Sequence, residues 1–508
     1  MMLYFTAFAS GLTVLALELS AARLLGPYFG VSEVVWSAII GLILIYLTIG
    51  YFLGGRWADK SPQARTLYTV MAWGAFTAGL IPVLARPILL SVSQALDQLA
   101  LGPLPGAFAG VLALYLVPIT LLGTVSPFVI RLLLQDARHS GQVAGQVYAV
   151  STLGSFVGSF LPSLVMIPLL GTRLTFFAFS GFLLSVALLG LWRFAGPKAS
   201  LPLLWMPILL GGAAFLWGRA PLKTDAGQIF ETESTYNYIQ VIEQNGYRWL
   251  KLNEGQGMHS MYHPVELNYA GPWEQFLAAP FFNPAYAPQN VRRIAIVGLA
   301  AGTTARQASA VFGAIPMDGY EIDAQIIEVG ERFFGMADLP NLNAYAVDGR
   351  WGLMQSHEAY SLIVVDAYRP PYIPWQLTTR EFFTLAAQRM TPDGALAINV
   401  GRTPTDRRLI EALVATLQTV YPSVYVMDLP NTFNSIIYAT RQPTRVEDFY
   451  ANYLALQSDA STHPLLREVM ARAIVNFQPV VVGDVIFTDD RAPIEWFTHQ
   501  LILGFVLE

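Results

Sequence analysis

The sequence predicts two parts suited to different solvents. Residues 1–220 read as an all-α membrane domain of about seven spans, and residues 228–508 as an α/β domain built on a doubly wound parallel sheet led in by a β-hairpin. Three observations carry this. The 508-residue chain is 54% hydrophobic with a mean hydropathy of +0.45, and its long apolar runs lie before residue 220. After residue 228, short apolar runs alternate with amphipathic segments of helical period, the pattern of successive βαβ units. Between the two lies RAPLKTDAG, residues 219–227, polar and turn-prone, where the domain boundary is placed.

Candidate spans are residues 3–25, 34–54, 67–92, 106–131, 143–167, 172–193 and a shorter one at 201–218. A bilayer core needs roughly 20 apolar residues per helix. The first span has no basic residue ahead of its apolar run and leads into further spans, so it is expected to stay rather than to be cleaved as a signal peptide. Glu18 and Arg23 lie within or at the edge of this span, where ionisable groups face a partner or a cavity. Basic residues follow the second span (Arg56, Lys60, Arg65), flank the fourth (Arg131, Arg138) and follow the sixth (Arg193, Lys198), which places those loops in the cytoplasm. Seven spans then leave the α/β half outside, away from cytosolic nucleosides. The expectation adopted is that one span is miscounted, either because 67–101 folds back or because 201–218 is too short. The expectation is thus a multi-pass protein of the cell membrane with its α/β half in the cytoplasm, the alternative being that all seven spans are real and this half is external.

Residues 1–220 hold 11 of the 30 Lys and Arg but only 5 of the 35 Asp and Glu, so the α/β half is acidic. That balance argues against nucleic acid as a partner and is compatible with a cationic substrate. With no cysteine there are no disulfides, thiolate metal sites or cysteine nucleophile. His259 and His263 are four apart but lack an acid in the zinc-protease position, so no metal is expected.

In the α/β half, YNYIQVIEQ and YRWLKLNE alternate in polarity across Asn245-Gly246, a type I′ hairpin signature. The central stretch is IAIVGLAAGTTARQASAVFGAIPMDGYEID, residues 294–323. Its apolar strand breaks at Gly298 and Gly302 as a helix begins, so the backbone can approach a ligand at the helix N-terminus. The next strand delivers Glu321 nineteen positions after Gly302, where a doubly wound fold places the acid that takes ribose hydroxyls. The loop lacks the third glycine of a dinucleotide fingerprint, so a nucleoside without phosphates fits better. Asp348-Gly349 and Asp366 end the following strands, and three acids at strand ends converge on one crevice. SVYVMDL and NSIIYAT, joined by a short turn, predict a final antiparallel hairpin, the methyltransferase-like ending of a Rossmann-like sheet.

From about residue 228 to 440 these ordered motifs resemble the spermidine synthase family of polyamine aminopropyltransferases, here fused to a membrane domain. The resemblance implies nucleoside contacts from the glycine loop (Gly298, Gly302), Glu321, Asp348, Gly349 and Asn237. It makes Asp366 of VVDAYRP the catalytic acid-base residue, and Tyr236, Glu274, Tyr368 and Arg369 candidates to hold the acceptor. The implied co-substrate is decarboxylated S-adenosylmethionine, with no permanently bound cofactor. Implied partners are small-molecule nucleoside and amine substrates and the lipid bilayer, with homo-oligomers left open. The sequence departs from the family on the amine side: the glycine-loop aspartate is Ala301, the second acid of the catalytic loop is Arg369, and the Tyr-His-Glu segment falls on Trp273-Glu274-Gln275. A guanidinium in place of a carboxylate disfavours a simple diamine. Two alternatives share the fold: a methyltransferase using intact S-adenosylmethionine, and a nucleoside sensor regulating the membrane half. The loop GGRWADKSP, residues 54–62, resembles one cytoplasmic loop of major facilitator transporters.

Overall fold

The structure is a computed structural model that describes residues 1–508 apart from 31, 99–102, 135, 254–256, 369–372, 499 and 501–508. It divides into two compact units, Met1–Gln240 with Leu252–Gly255, and Val241–Lys251 with Gln256–Glu508.

In the first unit, seven helices among the described residues are long and apolar enough to cross a membrane: Met2–Phe29, Val35–Lys60, Ala64–Ala95, Leu104–Leu133, Ser140–Leu170, Thr172–Ala195 and Pro197–Trp217. The third does not fold back. Ala64–Gln98 is one helix of 35 residues that carries Pro82 and Pro87 inside it. The seventh is assembled from Pro197–Ser200, a 3-10 turn Leu201–Leu203 and Trp205–Trp217. Its full 21 residues span about 31 Å at 1.5 Å per residue, roughly one hydrocarbon core.

Close backbone approach holds these helices. A Cβ at Gly154 would lie 2.1 Å from the Phe8 carbonyl oxygen, one at Gly158 2.2 Å from that of Leu12, and one at Gly11 2.2 Å from that of Ser151. The first and fifth spans therefore meet along glycines, as small-residue helix pairs do in lipid, where packing rather than the hydrophobic effect drives association. The Ser155 hydroxyl donates to the Gly11 carbonyl at 3.1 Å in the same contact.

Four strands form a small sheet in the order β1 (Gln228–Glu233), β2 (Tyr238–Gln244), β3 (Tyr247–Leu252), β4 (Met258–Tyr262). The turn between β2 and β3 has both central residues at positive φ, Asn245 at 54° and Gly246 at 85°, as a type I′ turn requires.

The second unit is built on an eight-stranded sheet. Its strands are β5 (Ile294–Val297), β6 (Met317–Glu321), β7 (Leu342–Ala346), β8 (Tyr360–Val365), β9 (Met390–Gly401), β10 (Ser423–Asp428), β11 (Asn434–Thr440) and β12 (Phe477–Gln478), in the order β12-β10-β11-β9-β8-β5-β6-β7. Strands β5 to β9 pair in parallel, while β11 runs antiparallel to β9 and to β10. This is a Rossmann-like order with the expected terminal hairpin. Side chains of β5 alternate between two cores. Ala295 and Val297 join Ile363, Val365, Leu396 and Ile398 on one face, and Ile294 and Ile296 join Leu362, Val364 and the buried run Phe276–Phe282 on the other. Burial on both faces is why these strands read as unbroken apolar runs. The segment FTDDRAPIEW supplies Asp489, which grips Arg350 with two hydrogen bonds of 2.8 and 2.6 Å and accepts from the Thr379 hydroxyl at 2.7 Å. It ties the chain's end to the start of helix Gly349–Gln355 and the N-cap of helix Arg380–Gln388.

Replacing Gly154 with Leu should wedge the first and fifth spans apart and cost about 1–3 kcal/mol, the usual range for overpacking. A lowered thermal midpoint for monodisperse protein in detergent checks this, with Gly141→Leu, where nothing lies within 4 Å of the Cβ position, as the neutral control.

Candidate active site

The second unit gathers its polar groups at the carboxyl ends of β5, β6, β7 and β8. The chain leaves β5 at Gly298, whose φ of +89° belongs to glycine. A Cβ there would sit 2.6 Å from the backbone of Asp366 and Ala367, so the absence of a side chain lets the glycine loop lie against the acid at the end of β8. The Asp366 N–H closes the approach by donating to the Val297 carbonyl at 2.9 Å. Gly302, with φ +84°, turns the loop into helix Thr303–Phe312.

Glu321 ends β6 with its carboxylate turned into this loop. One oxygen accepts from the Ala300 N–H at 3.0 Å and the other from the Asp323 N–H at 3.1 Å. Burial pushes its pKa up to about 7 although both hydrogen bonds favour the charged form, so desolvation dominates. From the other side β4 clamps the loop: Ala301 N–H donates to Ser260 Oγ at 3.0 Å, and Thr303 Oγ1 exchanges hydrogen bonds of 2.9 Å with the Met261 backbone. Asp348, just past β7, is the N-cap of helix Gly349–Gln355 and accepts from the Trp351 N–H at 2.9 Å. A Cβ on Gly349 would lie 2.5 Å from a Val297 methyl, which explains the glycine beside it.

Asp366 is held by a relay. Asn399, near the end of β9, donates its amide to Asp366 Oδ1 at 2.9 Å, and its own oxygen accepts from Asn434 of β11 at 2.9 Å. Burial raises the Asp366 pKa to about 7 and the Asn399 amide pulls it back down. The group is a carboxylate poised to gain or lose a proton near neutrality. Tyr368 lies close, its hydroxyl beside the Gly401 backbone; burial and the Asp366 charge push its ionisation up, so it is a neutral phenol.

Gly298, Gly302, Glu321, Asp348, Gly349, Asp366 and Tyr368 are thus brought together on one edge of the sheet. The other candidates are placed differently. Glu274 is fully buried, one oxygen accepting from the Gly271 N–H (2.9 Å) and Arg472 (3.1 Å), the other from Gln307 (3.0 Å). It is the hub that fastens segment Pro272–Gln275 to helices Thr303–Phe312 and Pro464–Asn476. Tyr236 and Asn237 belong to the first unit, where Tyr236 is exposed and Asn237 Oδ1 accepts from the Asn253 amide at 3.1 Å. Arg369 lies outside the described residues. Asn399 and Asn434 do not stand out in the sequence. The available signal is a carboxamide inside the otherwise apolar run ALAINV, costly to bury unless it has a partner.

No family model matches the chain. A probable polyamine aminopropyl transferase of Bifidobacterium longum is 31% identical over 280 residues, covering 52% of this chain and 61% of that protein. Over about half of its length the chain is similar to this polyamine aminopropyl transferase. A polyamine aminopropyltransferase of Vibrio vulnificus is 27% identical over 210 residues, 40% of this chain and 68% of its own length. Among solved structures, a probable spermidine synthase from Corynebacterium glutamicum is 17% identical, with 52% of this chain and 98% of that chain covered at a TM-score of 0.39. The chain spans about three fifths of the length of the Bifidobacterium relative.

Because the Asn399 amide stabilises the charged form of Asp366, Asn399→Ala should raise the Asp366 pKa further above 7. Any activity that needs the carboxylate would then lose its acid limb at higher pH than in the wild type. A pH profile of turnover checks this; an unmoved limb would uncouple Asn399 from the titrating group.

Proposed function

We propose that the protein is a membrane-bound aminopropyltransferase that moves an aminopropyl group from decarboxylated S-adenosylmethionine to an amine, releasing methylthioadenosine. The observation that carries this reading is the packing of the glycine loop directly on the Asp366 backbone, with Glu321 and Asp348 at the ends of the neighbouring strands. The similarity of the chain to polyamine aminopropyltransferases supports the choice among nucleoside chemistries.

In this reaction the amine lone pair forms a bond to the propyl carbon attached to the sulfonium, the C–S bond breaks, and its electron pair neutralises the sulfur. The nucleophilic nitrogen must give up one proton before attack, and the product leaves as a secondary ammonium, so one proton is released in all. Asp366 suits this proton transfer, because its carboxylate attracts an ammonium and, with a pKa of about 7, can accept a proton from it at neutral pH. Glu321 and Asp348 would take the ribose and adenine sides of the nucleoside, with Gly298, Gly302 and Gly349 giving room for it. Tyr368 would face the acceptor beside Asp366. The rest of the catalysis is orientation of two bound reactants.

The amine side differs from the family pattern. Ala301 is 1% exposed, its N–H already used by Ser260, so this position offers no carboxylate to an ammonium. Glu274 is committed to Arg472 and Gln307. Arg369 would then favour an amine that also carries a carboxylate, which a guanidinium holds with two parallel hydrogen bonds.

Purified protein incubated with decarboxylated or intact S-adenosylmethionine and a panel of amines should yield methylthioadenosine only with the former. Adenosylhomocysteine as the sole product would make it a methyltransferase, and no product from any pair would favour a nucleoside sensor. Asp366→Asn should lower turnover by roughly two to four orders of magnitude with nucleoside affinity nearly intact. Glu321→Gln should instead weaken nucleoside binding by about 1.5–3 kcal/mol, read by calorimetry. Arg369→Asp should raise turnover of putrescine relative to an amino-acid acceptor; an equal loss toward both would assign Arg369 to shaping the loop.

A further inference from the structure

The side of the membrane on which the chain leaves its helical half follows from contacts made within the first unit. The first span ends at Phe29 and the sixth begins at Thr172, so with alternating spans both ends lie on one face. The stretch that follows the last span is fastened to that face four times. Tyr28, one residue from the end of the first span, donates its hydroxyl to the Leu222 carbonyl at 2.6 Å. Arg173 donates to the Pro221 carbonyl at 2.9 Å, and Arg23 to that of Thr235. Glu233 of β1 sits over the first turn of the sixth span, accepting from the Thr172 N–H at 2.7 Å and its hydroxyl at 2.5 Å. A carboxylate at a helix N-terminus is the favourable end for its charge.

The basic loops lie on the opposite face. Arg56, Lys60 and Arg65 join the second and third spans, Arg131 and Arg138 the fourth and fifth, and Arg193 and Lys198 the sixth and seventh. On the other face the short connections between spans, residues 30–34, 96–103 and 171, hold no Lys or Arg at all. The contacts of Leu222, Pro221, Glu233 and Thr235 fix the exit face even if the broken seventh helix is left out of the count.

We infer that the chain enters its α/β half on the face opposite the basic loops, so that this half works on the non-cytoplasmic side of the membrane. This replaces the cytoplasmic placement read from the sequence. It deepens the proposed function and rests on it in one respect: the amine and the donor nucleoside must reach the site in that compartment. A sulfonium is permanently charged and does not cross hydrocarbon unaided, so a carrier-mediated transfer across the membrane has to precede the reaction.

The chain has no cysteine, so single cysteines report sidedness without background. Gln63 and His139 are exposed on the basic face, Thr224 follows the last span, and Ala460 is an exposed turn residue of the α/β half. In intact cells a membrane-impermeant maleimide should label Thr224→Cys and Ala460→Cys, and should reach Gln63→Cys and His139→Cys only after permeabilisation. The reverse pattern, or equal labelling of both sets, overturns the inference. Two positions per face guard against one variant that does not accumulate. In a second arm, right-side-out vesicles given donor and amine externally should turn over and inverted vesicles should not. Labelling as expected from a protein inactive in detergent with every donor would leave the sidedness standing and remove the chemistry.

Discussion

The close approach of Gly298 to the backbone of Asp366 and Ala367 is the constraint on which the site depends. β5 and β8 are hydrogen-bonded neighbours, so the loop leaving one must pass the end of the other, and a side chain at position 298 would fill the 2.6 Å between them. With glycine there, at a φ closed to most residues, the glycine loop and Asp366 meet at one edge of the sheet. The loop's remaining donors are then distributed: Ala300 to Glu321, Ala301 to Ser260 and Gly302 to the Leu299 carbonyl. Each such bond satisfies a polar group that would otherwise be buried alone.

Electrostatics in the site follow from the same compactness. Glu321 and Asp366 are both drawn out of water by the packing that positions them, and both are pushed up to about 7. Their partners differ in kind. Glu321 receives two backbone N–H groups, whereas Asp366 receives one side-chain amide that is itself oriented by Asn434. A cation bound beside Asp366 would lower its pKa again, so binding an ammonium and accepting its proton are linked steps.

In the first unit, packing and charge act at separate places. Glycines 11, 154 and 158 let two spans touch backbone to backbone in the apolar interior, and the polar contacts of Tyr28, Arg173 and Glu233 are confined to one end, where they hold the segment that follows the last span. Arg56, Lys60, Arg65, Arg131, Arg138, Arg193 and Lys198 lie at the other end.

Local pattern was enough for much of this. The apolar runs announced seven long apolar helices, Asn245-Gly246 announced its turn, and strand, glycine break and terminal acid placed Gly298, Glu321, Asp348 and Asp366 at or just past strand ends, because period, turn chemistry and chain order are properties of neighbouring residues. What depended on residues distant in sequence was decided only by the tertiary structure. The sequence does not show that Glu274 is gripped by Arg472, 198 positions away, nor that Asn399 and Asn434 line up beside Asp366, which follows only from the pairing of β9 and β11. Counting seven helices gives the same exit face, but an error of one reverses it. It is fixed by hydrogen bonds such as that between Tyr28 and Leu222, 194 positions apart, because sidedness is a matter of which ends meet and not of how many helices precede them.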